Sequence, residues 1–400
     1  MNERRFCYFD HNATTSVAPE VVEAMLPFFR EHWGNPSSAY AFGREVARHL
    51  DEARAQVAAL IDAEPREVVF TSCGTESNNA AWNSALMTQP DKRHVVTTAV
   101  EHSANLKFAE ALQRQGCEVT VLPVDPDGAL DLHRLEQALR PDTALVSVMW
   151  ANNETGVLFP IAEVAALCRS KGVLCHTDAV QAAGKVALDV REASVDFLSL
   201  SGHKLHAPKG VGVLYVRRRT RFVPYLVGGH QERGRRGGTE NVPYIVGFGR
   251  AAELALAHFD AENRRVRGLR DRLETGVLTT IPGTTRNGAQ EPRLPNTANL
   301  AFPGVEAEAM LMLLDQAGIC ASGGSACTTG SLEPSHVLTA MGLSAARARG
   351  SLRFSLGRDT READVDYLLA TLPGVVAKLQ AIAPASAVRP TPAEAAAETT

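Results

Sequence analysis

Lys204 is the side chain around which a reaction could be built, and its neighbours say why. It lies at the centre of Leu198-Ser-Leu-Ser-Gly-His-Lys-Leu-His-Ala-Pro-Lys-Gly-Val-Gly-Val-Leu-Tyr-Val216. An apolar run over 195–200 leads into the small polar turn Ser201-Gly202-His203, and a second run over 210–216 has the alternation and β-branching of a strand. Lys204 therefore falls on a loop between two strands, where its amine is partly desolvated. Desolvation disfavours the ammonium and lowers its pKa toward neutrality, the condition a Schiff-base lysine requires. A plainer reading stays open at this point: Lys204 is one of 41 basic residues and caps a strand end.

A second stretch could hold an anion. Val68-Val-Phe-Thr-Ser-Cys-Gly-Thr-Glu-Ser-Asn-Asn-Ala-Ala-Trp82 runs from a β-branched strand through Ser-x-Gly-Thr into a helix. Backbone N–H groups and the helix dipole at such a start attract phosphate. Ser, Gly and Thr also cap helices that bind nothing, so the stretch alone leaves both readings open. The wider pattern is more telling. Strands over 94–98, 118–122, 143–149 and 173–176 alternate with helices over 101–115, 132–139 and 161–171. Alternation of this kind predicts a mostly parallel sheet covered on both faces, with ligands bound beyond the carboxyl ends of the strands. Thr75, His102, Asn153, Asp178, Gln181 and His203 each fall just after a predicted strand. A purely structural protein has little reason to place polar side chains there so regularly.

The elements that must position these residues follow from pattern and composition. At 400 residues, 45% hydrophobic and 22% charged, the chain reads as a soluble globular protein of two domains. A net charge of −4 gives no electrostatic case for nucleic acid, and Arg217-Arg218-Arg219-Thr220-Arg221 reads as a solvated strand end. No apolar stretch approaches the ~20 residues that span a bilayer. The start, Met-Asn-Glu-Arg-Arg-Phe-Cys, lacks the apolar core of a secretory signal, so a cytoplasmic location is expected. Cys7, Cys73, Cys117, Cys168, Cys175, Cys320 and Cys327 are scattered and form no Cys-x-x-Cys pair, which argues against a disulfide framework and a structural zinc site. Helices are expected over 20–29 and 44–61, with a loop over 34–38. The Gly-rich, cationic segment 228–240 reads as too flexible to be core. One long helix over 243–277 should bridge the domains. Strands over 297–302 and 352–355 with helices over 307–316 and 361–379 make an α+β second domain. From residue 381 the composition predicts disorder.

Together these residues carry a resemblance. The sequence is similar to the pyridoxal-phosphate-dependent cysteine desulfurases of the class-V aminotransferase family, nearest the nitrogen-fixation (NifS-like) branch. The matching blocks are Asp10-His-Asn-Ala-Thr-Thr15, Gly34-Asn-Pro-Ser-Ser38, Gly74-Thr-Glu-Ser77, Glu101-His102, Asn152-Asn-Glu-Thr-Gly156 and Asp178-Ala-Val-Gln181. They continue with Ser201-Gly-His-Lys204, Arg236-Gly-Gly-Thr-Glu-Asn241, Ser325-Ala-Cys-Thr-Thr-Gly-Ser-Leu-Glu-Pro334 and Ser351-Leu-Arg-Phe-Ser355. The resemblance implies an α/β chain of PLP fold type I. Residues 15–258 would form a large cofactor domain with a mostly parallel seven-stranded sheet, and 259–380 a smaller α+β domain carrying the catalytic cysteine. Residues 1–14 would join the smaller domain, and 381–400 would be a tail.

The resemblance also implies roles. Lys204 would hold pyridoxal 5′-phosphate as an internal aldimine and move protons at the substrate Cα. Asp178 would pair with the pyridine nitrogen, keeping the ring an electron sink. Gln181 and Asn153 would hydrogen-bond the phenolic oxygen, and His102 would stack on the ring and act as an acid–base group. Gly74, Thr75, Ser201 and His203 would hold the phosphate, with Thr239 reaching it from the other subunit of a homodimer. Arg353, with Asn153, would bind the carboxylate of L-cysteine. Cys327, in the small Gly-rich setting Ala321-Ser-Gly-Gly-Ser-Ala-Cys-Thr-Thr-Gly330, would take the substrate sulfur as a persulfide, releasing L-alanine. A free thiol is only a few per cent thiolate at neutral pH, so His102 or the substrate's own ionisation must deprotonate it. The sulfur acceptor would be an iron–sulfur scaffold, with nitrogenase metallocluster assembly as the setting. The metal role it leaves to Cys327 is as ligand of a cluster shared with that scaffold. Two rivals stay open. A selenocysteine lyase or aminotransferase on the same fold needs Lys204 but not Cys327. A non-catalytic scaffold for iron–sulfur assembly has no use for Asp178 and Gln181.

Overall fold

The computed structural model describes residues 5–323 and 334–382. The first strand, β1 (Cys7–Tyr8), stands apart from the seven that build the principal sheet. Those are β2 (Val68–Thr71), β3 (His94–Thr98), β4 (Glu118–Leu122), β5 (Thr143–Ser147), β6 (Leu174–Asp178), β7 (Phe197–Ser201) and β8 (Gly212–Val216), in the spatial order β2-β8-β7-β6-β5-β3-β4. The run from β7 to β4 is parallel, while β8 is antiparallel to both β7 and β2. Side chains alternate across this sheet, so each strand feeds two cores. Val68 and Phe70, Val96, Val146, Leu198 and Val213 face one core. Val69, Val95, Leu145, Phe197 and Leu214 face the other, against Trp82 of the helix Gly74–Met87. Only the edge strand β4 carries Glu118 and Val121 toward solvent.

A third core lies in the second sheet. Strand β9 (Thr285–Arg286) pairs antiparallel with β10 (Thr297–Ala301), which pairs antiparallel with β12 (Ser351–Ser355). The short β11 (Ile319–Cys320) pairs in parallel with β1, and Asp10 bridges to Ser355. The N-terminal segment is thereby stitched to the second core before it crosses to the first. The helices Phe259–Thr280 and Glu362–Ile382 cover that core.

Three differences from the sequence reading have local causes. The helix expected over 20–29 is two pieces, Pro19–Met25 and Pro27–Arg30, because Pro27 has no N–H to continue the ladder. The single helix expected over 243–277 is Val242–Ala257 followed by Phe259–Thr280, broken at His258 (φ −110°, ψ 6°). The segment over 228–240 is not wholly loose. Its Glu232 is 5% exposed and accepts from Arg54 Nη1 at 2.6 Å, Arg54 Nη2 at 2.8 Å and the Phe70 N–H at 3.0 Å. One helix, Glu362–Ile382, does reach the length and apolarity of a membrane span; its Val365, Leu368, Leu372 and Val376 are buried in the second core.

Arg54 and Glu232 illustrate why a paired buried charge tolerates joint but not single removal. Glu232→Ala is expected to lower stability by about 3–5 kcal/mol, since it leaves the Arg54 guanidinium buried and unpaired. Replacing both, Arg54→Met with Glu232→Leu, should cost less than Glu232→Ala alone. Urea unfolding of the three proteins checks this, and equal losses in the single and double variants would contradict it.

Candidate functional site

The site forms where β6 and β7 end. Asp178 is the last residue of β6 and is 6% exposed. Its Oδ2 accepts from Asn78 Nδ2 at 2.7 Å and its Oδ1 from the Val180 N–H at 3.0 Å, so the carboxylate is held in one orientation. Ser201 ends β7, and the 3-10 turn Gly202–Lys204 carries His203 and Lys204 into the same space. Lys204 Nζ donates to the carbonyls of Asn12 at 2.5 Å and Ala13 at 2.7 Å. Gln181 Nε2 donates to the Asn12 carbonyl as well, at 2.9 Å. Two residues expected from different strands, Lys204 and Gln181, therefore meet at one backbone carbonyl.

The helix Gly74–Met87 points its start at this cluster, with 14 residues of aligned dipole behind it. A Cβ on Gly74 would come 2.9 Å from Val180 Cγ2 and 3.6 Å from Ser201 Cβ, so only glycine leaves this close approach open. Thr75 is exposed, Ser201 buried and His203 half-buried. Burial, and then the charges of Lys204, Lys209 and Lys185, push His203 down to about 4, so its ring is neutral at pH 7. His102 caps the helix Ser103–Arg114, its Nδ1 accepting from the Ala104 N–H at 3.1 Å.

On the side of the second sheet, Arg353 of β12 is 1% exposed. It donates to Asp10 Oδ1 at 2.7 Å and to the Asn153 carbonyl at 3.0 Å. Arg353 Nε and Asn153 Oδ1 are buried and have no partner, as are Asn78 Oδ1 and Thr177 Oγ1 beside Asp178. Buried polar atoms are rarely left unsatisfied, and Arg353 Nε and Asn153 Oδ1, on residues joined through the Asn153 carbonyl, mark where a polar ligand belongs. Thr239 is exposed and lines a cleft with Thr71, Ser72 and Gly210 of its own chain. Arg236, three residues earlier, pairs with Glu76 in the first turn of the Gly74 helix at 3.0 Å. Cys327 lies outside the described residues. The two described ends of that interval are anchored at the site: Ser322 and Arg353 exchange backbone hydrogen bonds of 3.2 and 2.7 Å, and Ser335 Oγ donates to the buried Glu154 carboxylate.

Sequence reasoning missed four residues that hold these in place. Asn12, Glu101, Glu154 and Lys185 sat inside or beside the matching motifs, but nothing in their type distinguished them. Glu101 is fully buried and accepts from Thr98 Oγ1 at 3.0 Å, the Met149 N–H at 2.8 Å and Asn105 Nδ2 at 3.0 Å. Burial pushes its carboxyl up to about 7, against the three hydrogen bonds and with the help of Asp178. Lys185 Nζ donates to the Gln181 carbonyl at 3.0 Å and to its Oε1 at 3.4 Å, which turns the Gln181 amide nitrogen toward Asn12. Desolvation and then Lys204 push Lys185 down to about 7. It lines a cavity with Lys204, His11, His206, Glu262 and Arg358.

Comparison with known proteins shows the family and the fold. Residues 7–368 match the aminotransferase class-V family. The chain is 55% identical over 379 residues to cysteine desulfurase 2 of Trichormus variabilis, covering 95% of each. It is 54% identical over 378 residues to the cysteine desulfurase NifS of Azotobacter vinelandii, covering 94% of each. A solved NifS-like protein superposes with a TM-score of 0.88 at 38% identity, over 94% of this chain and 100% of that one.

The Glu101 carboxyl gives a pH test with a definite sign. Its proton is held to about 7 in the folded chain against an ordinary value of 4.5. The unfolded chain releases its proton first, so this group's contribution falls as pH rises from about 4.5 to about 7 and is level above. Gln at this position keeps accepting from Thr98 and Met149, and once the Asn105 amide, whose Nδ2 now donates to Glu101, turns over, the Gln Nε2 donates to Asn105 Oδ1. Glu101→Gln should therefore gain ~3 kcal/mol relative to wild type between pH 4.5 and pH 7.5. Urea unfolding at the two pH values reads this; an unchanged difference would contradict a protonated Glu101.

Proposed function

We infer what this chain does from the family to which it belongs, the class-V aminotransferases, and from its place among the cysteine desulfurases within them. It is a pyridoxal-phosphate-dependent enzyme that takes sulfur from L-cysteine, releases L-alanine and keeps the sulfur on Cys327 as a persulfide. The observation that carries this reading is the meeting of Lys204 and Gln181 at the Asn12 carbonyl, beside a fixed Asp178 and a glycine-opened helix start.

The residues fit the cofactor. When bound, pyridoxal phosphate supplies the electron sink that makes the substrate's Cα proton and Cβ–sulfur bond labile. Lys204 would hold it covalently and move the Cα proton. Asp178, oriented by Asn78 and Val180, would pair with the ring nitrogen. Gln181 and Asn153 hydrogen-bond the ring oxygen, and the Asn153 Oδ1 without a partner supports a polar ligand at that position. His102 would stack on the ring and act as an acid–base group. Gly74, Thr75, Ser201 and neutral His203 hold the phosphate through N–H and hydroxyl groups, joined by Thr239 of the partner in a homodimer. Arg353 exchanges Asp10 for the substrate carboxylate, and its unsatisfied Nε is ready for the second hydrogen bond of a bidentate pair. The Cys327 thiolate attacks the substrate sulfur. The carbon–sulfur bond breaks, its electron pair stays on Cβ and takes a proton, and alanine leaves.

The division into 15–258 and 259–380, with 1–14 joining the latter, belongs to the same reading. The pairing of Cys7–Tyr8 with Ile319–Cys320 supports it. A cytoplasmic location and the passing of sulfur to an iron–sulfur scaffold belong to the same reading; the 54% identity to a NifS supports nitrogenase clusters as the destination.

Two variants separate this reading from its rivals. Lys204→Ala should fold but lose the covalent cofactor link, read by borohydride reduction and peptide mapping. Cys327→Ser should keep that link and the absorbance change on adding L-cysteine, yet release at least a hundredfold less sulfide, because a hydroxyl can neither attack sulfur efficiently nor form a persulfide. Full sulfide release by Cys327→Ser would favour a simple lyase. A cofactor attached elsewhere than Lys204 would overturn the assignment.

A further inference from the structure

Away from the residues described above, two imidazoles and a carboxylate converge at the surface. Glu45 and His49 are four residues apart in the helix Ala41–Leu60, so they share one face. His32 follows the turn Pro27–Arg30, and its N–H is fixed to the Pro27 carbonyl at 3.0 Å. One ligand atom from each of the three lies within 4.8 Å of the others. His32 Nδ1 is 3.8 Å from Glu45 Oε1, and the two imidazole centroids are 5.5 Å apart at 47°. Phe28 flanks both rings, with centroids at 5.6 Å from His32 and 5.1 Å from His49, and so limits their rotation.

The donor set has a chemical preference. Two imidazolium rings repel, whereas two neutral imidazoles can share one metal cation, and with a carboxylate they match a borderline divalent ion. We propose that His32, Glu45 and His49 form a three-ligand site for a divalent ion of the Zn²⁺ class, pinning the turn after Pro27–Arg30 to the helix Ala41–Leu60. Zinc bonds of about 2.0–2.2 Å place ligand atoms roughly 3.4 Å apart in a tetrahedron. Binding therefore draws the three atoms together by roughly an ångström. The Glu45 side chain is 48% exposed and can swing that far, and the same exposure leaves an access path and an open coordination position. Glu52 stands 3.3 Å from His49 Nδ1 but is also engaged by Arg48 at 3.2 Å, which favours three protein ligands over four.

The test is Zn²⁺ titration of the holoenzyme by equilibrium dialysis with metal analysis. Wild type is compared with Glu45→Gln and with His32→Gln/His49→Gln, so that zinc held by cysteines cancels in the difference. The double variant should lose one equivalent per chain, and Glu45→Gln should weaken that equivalent at least tenfold. Sulfide release without added zinc should be unchanged in both. Zinc should raise the melting temperature of wild type more than that of either variant. If the double variant does not fold, Glu45→Gln alone decides. Equal stoichiometry and affinity in wild type and Glu45→Gln would overturn the site.

Discussion

A buried amide must find partners for all its polar atoms or forfeit the hydrogen bonds it made with water. Asn12 meets that demand by tying the two halves of the molecule together. Its N–H donates to Ser355 Oγ at 2.9 Å, and its Nδ2 donates to Thr297 Oγ1 at 2.9 Å and to the Asn153 carbonyl at 3.1 Å. Its Oδ1 accepts from Asn296 Nδ2 at 3.0 Å. Those partners include the second sheet's β10 and β12, while its main-chain carbonyl accepts from Lys204 and Gln181 at the ends of the first sheet. Because each bond is directional, the second core can sit against the strand ends in few ways. The position of Arg353 opposite Asp10 and Asn153 follows from the same stitching.

Charge is distributed around that stitch with unusual economy. Arg353 supplies a cation, desolvation pushes Lys185 down to about 7, and burial leaves His11 and His203 at about 4 and hence neutral near pH 7. An anion at the Gly74 helix start is therefore met chiefly by N–H and hydroxyl groups rather than by imidazolium. The carboxyls are handled differently according to their hydrogen bonds. Asp178 is oriented by two donors, whereas burial pushes Glu101 and Glu154 up despite theirs. Glu154 in turn anchors Ser335, at the described end of the interval that contains Cys327.

Much of this was legible before any coordinates. The strand–helix alternation announced the parallel sheet, because buried parallel strands are short, β-branched and separated by amphipathic helices. Polar residues after the strands pointed to the candidate site, because that is where strand ends leave room for a ligand. What stayed hidden depends on contacts between distant segments. Asn12 reads as one residue of a turn until Ser355, Thr297 and Lys204 are brought to it. Glu232 sits in a glycine-rich stretch that suggests flexibility, and only Arg54, 178 residues earlier, reveals it as an anchor. The break at His258 is invisible to periodicity, since the apolar spacing of the two flanking helices runs on through it.

The destination of the sulfur distinguishes a persulfide-forming enzyme from a simple lyase. Brief exposure of the holoenzyme to L-cysteine without any added thiol, followed by alkylation, digestion and mass spectrometry, reads this directly. The peptide containing Cys327 should gain the mass of one sulfur atom, with one alanine formed for each modified site. Alanine formed in step with free sulfide while Cys327 stays unmodified, or sulfur found instead on Cys73, Cys117 or Cys320, would contradict it.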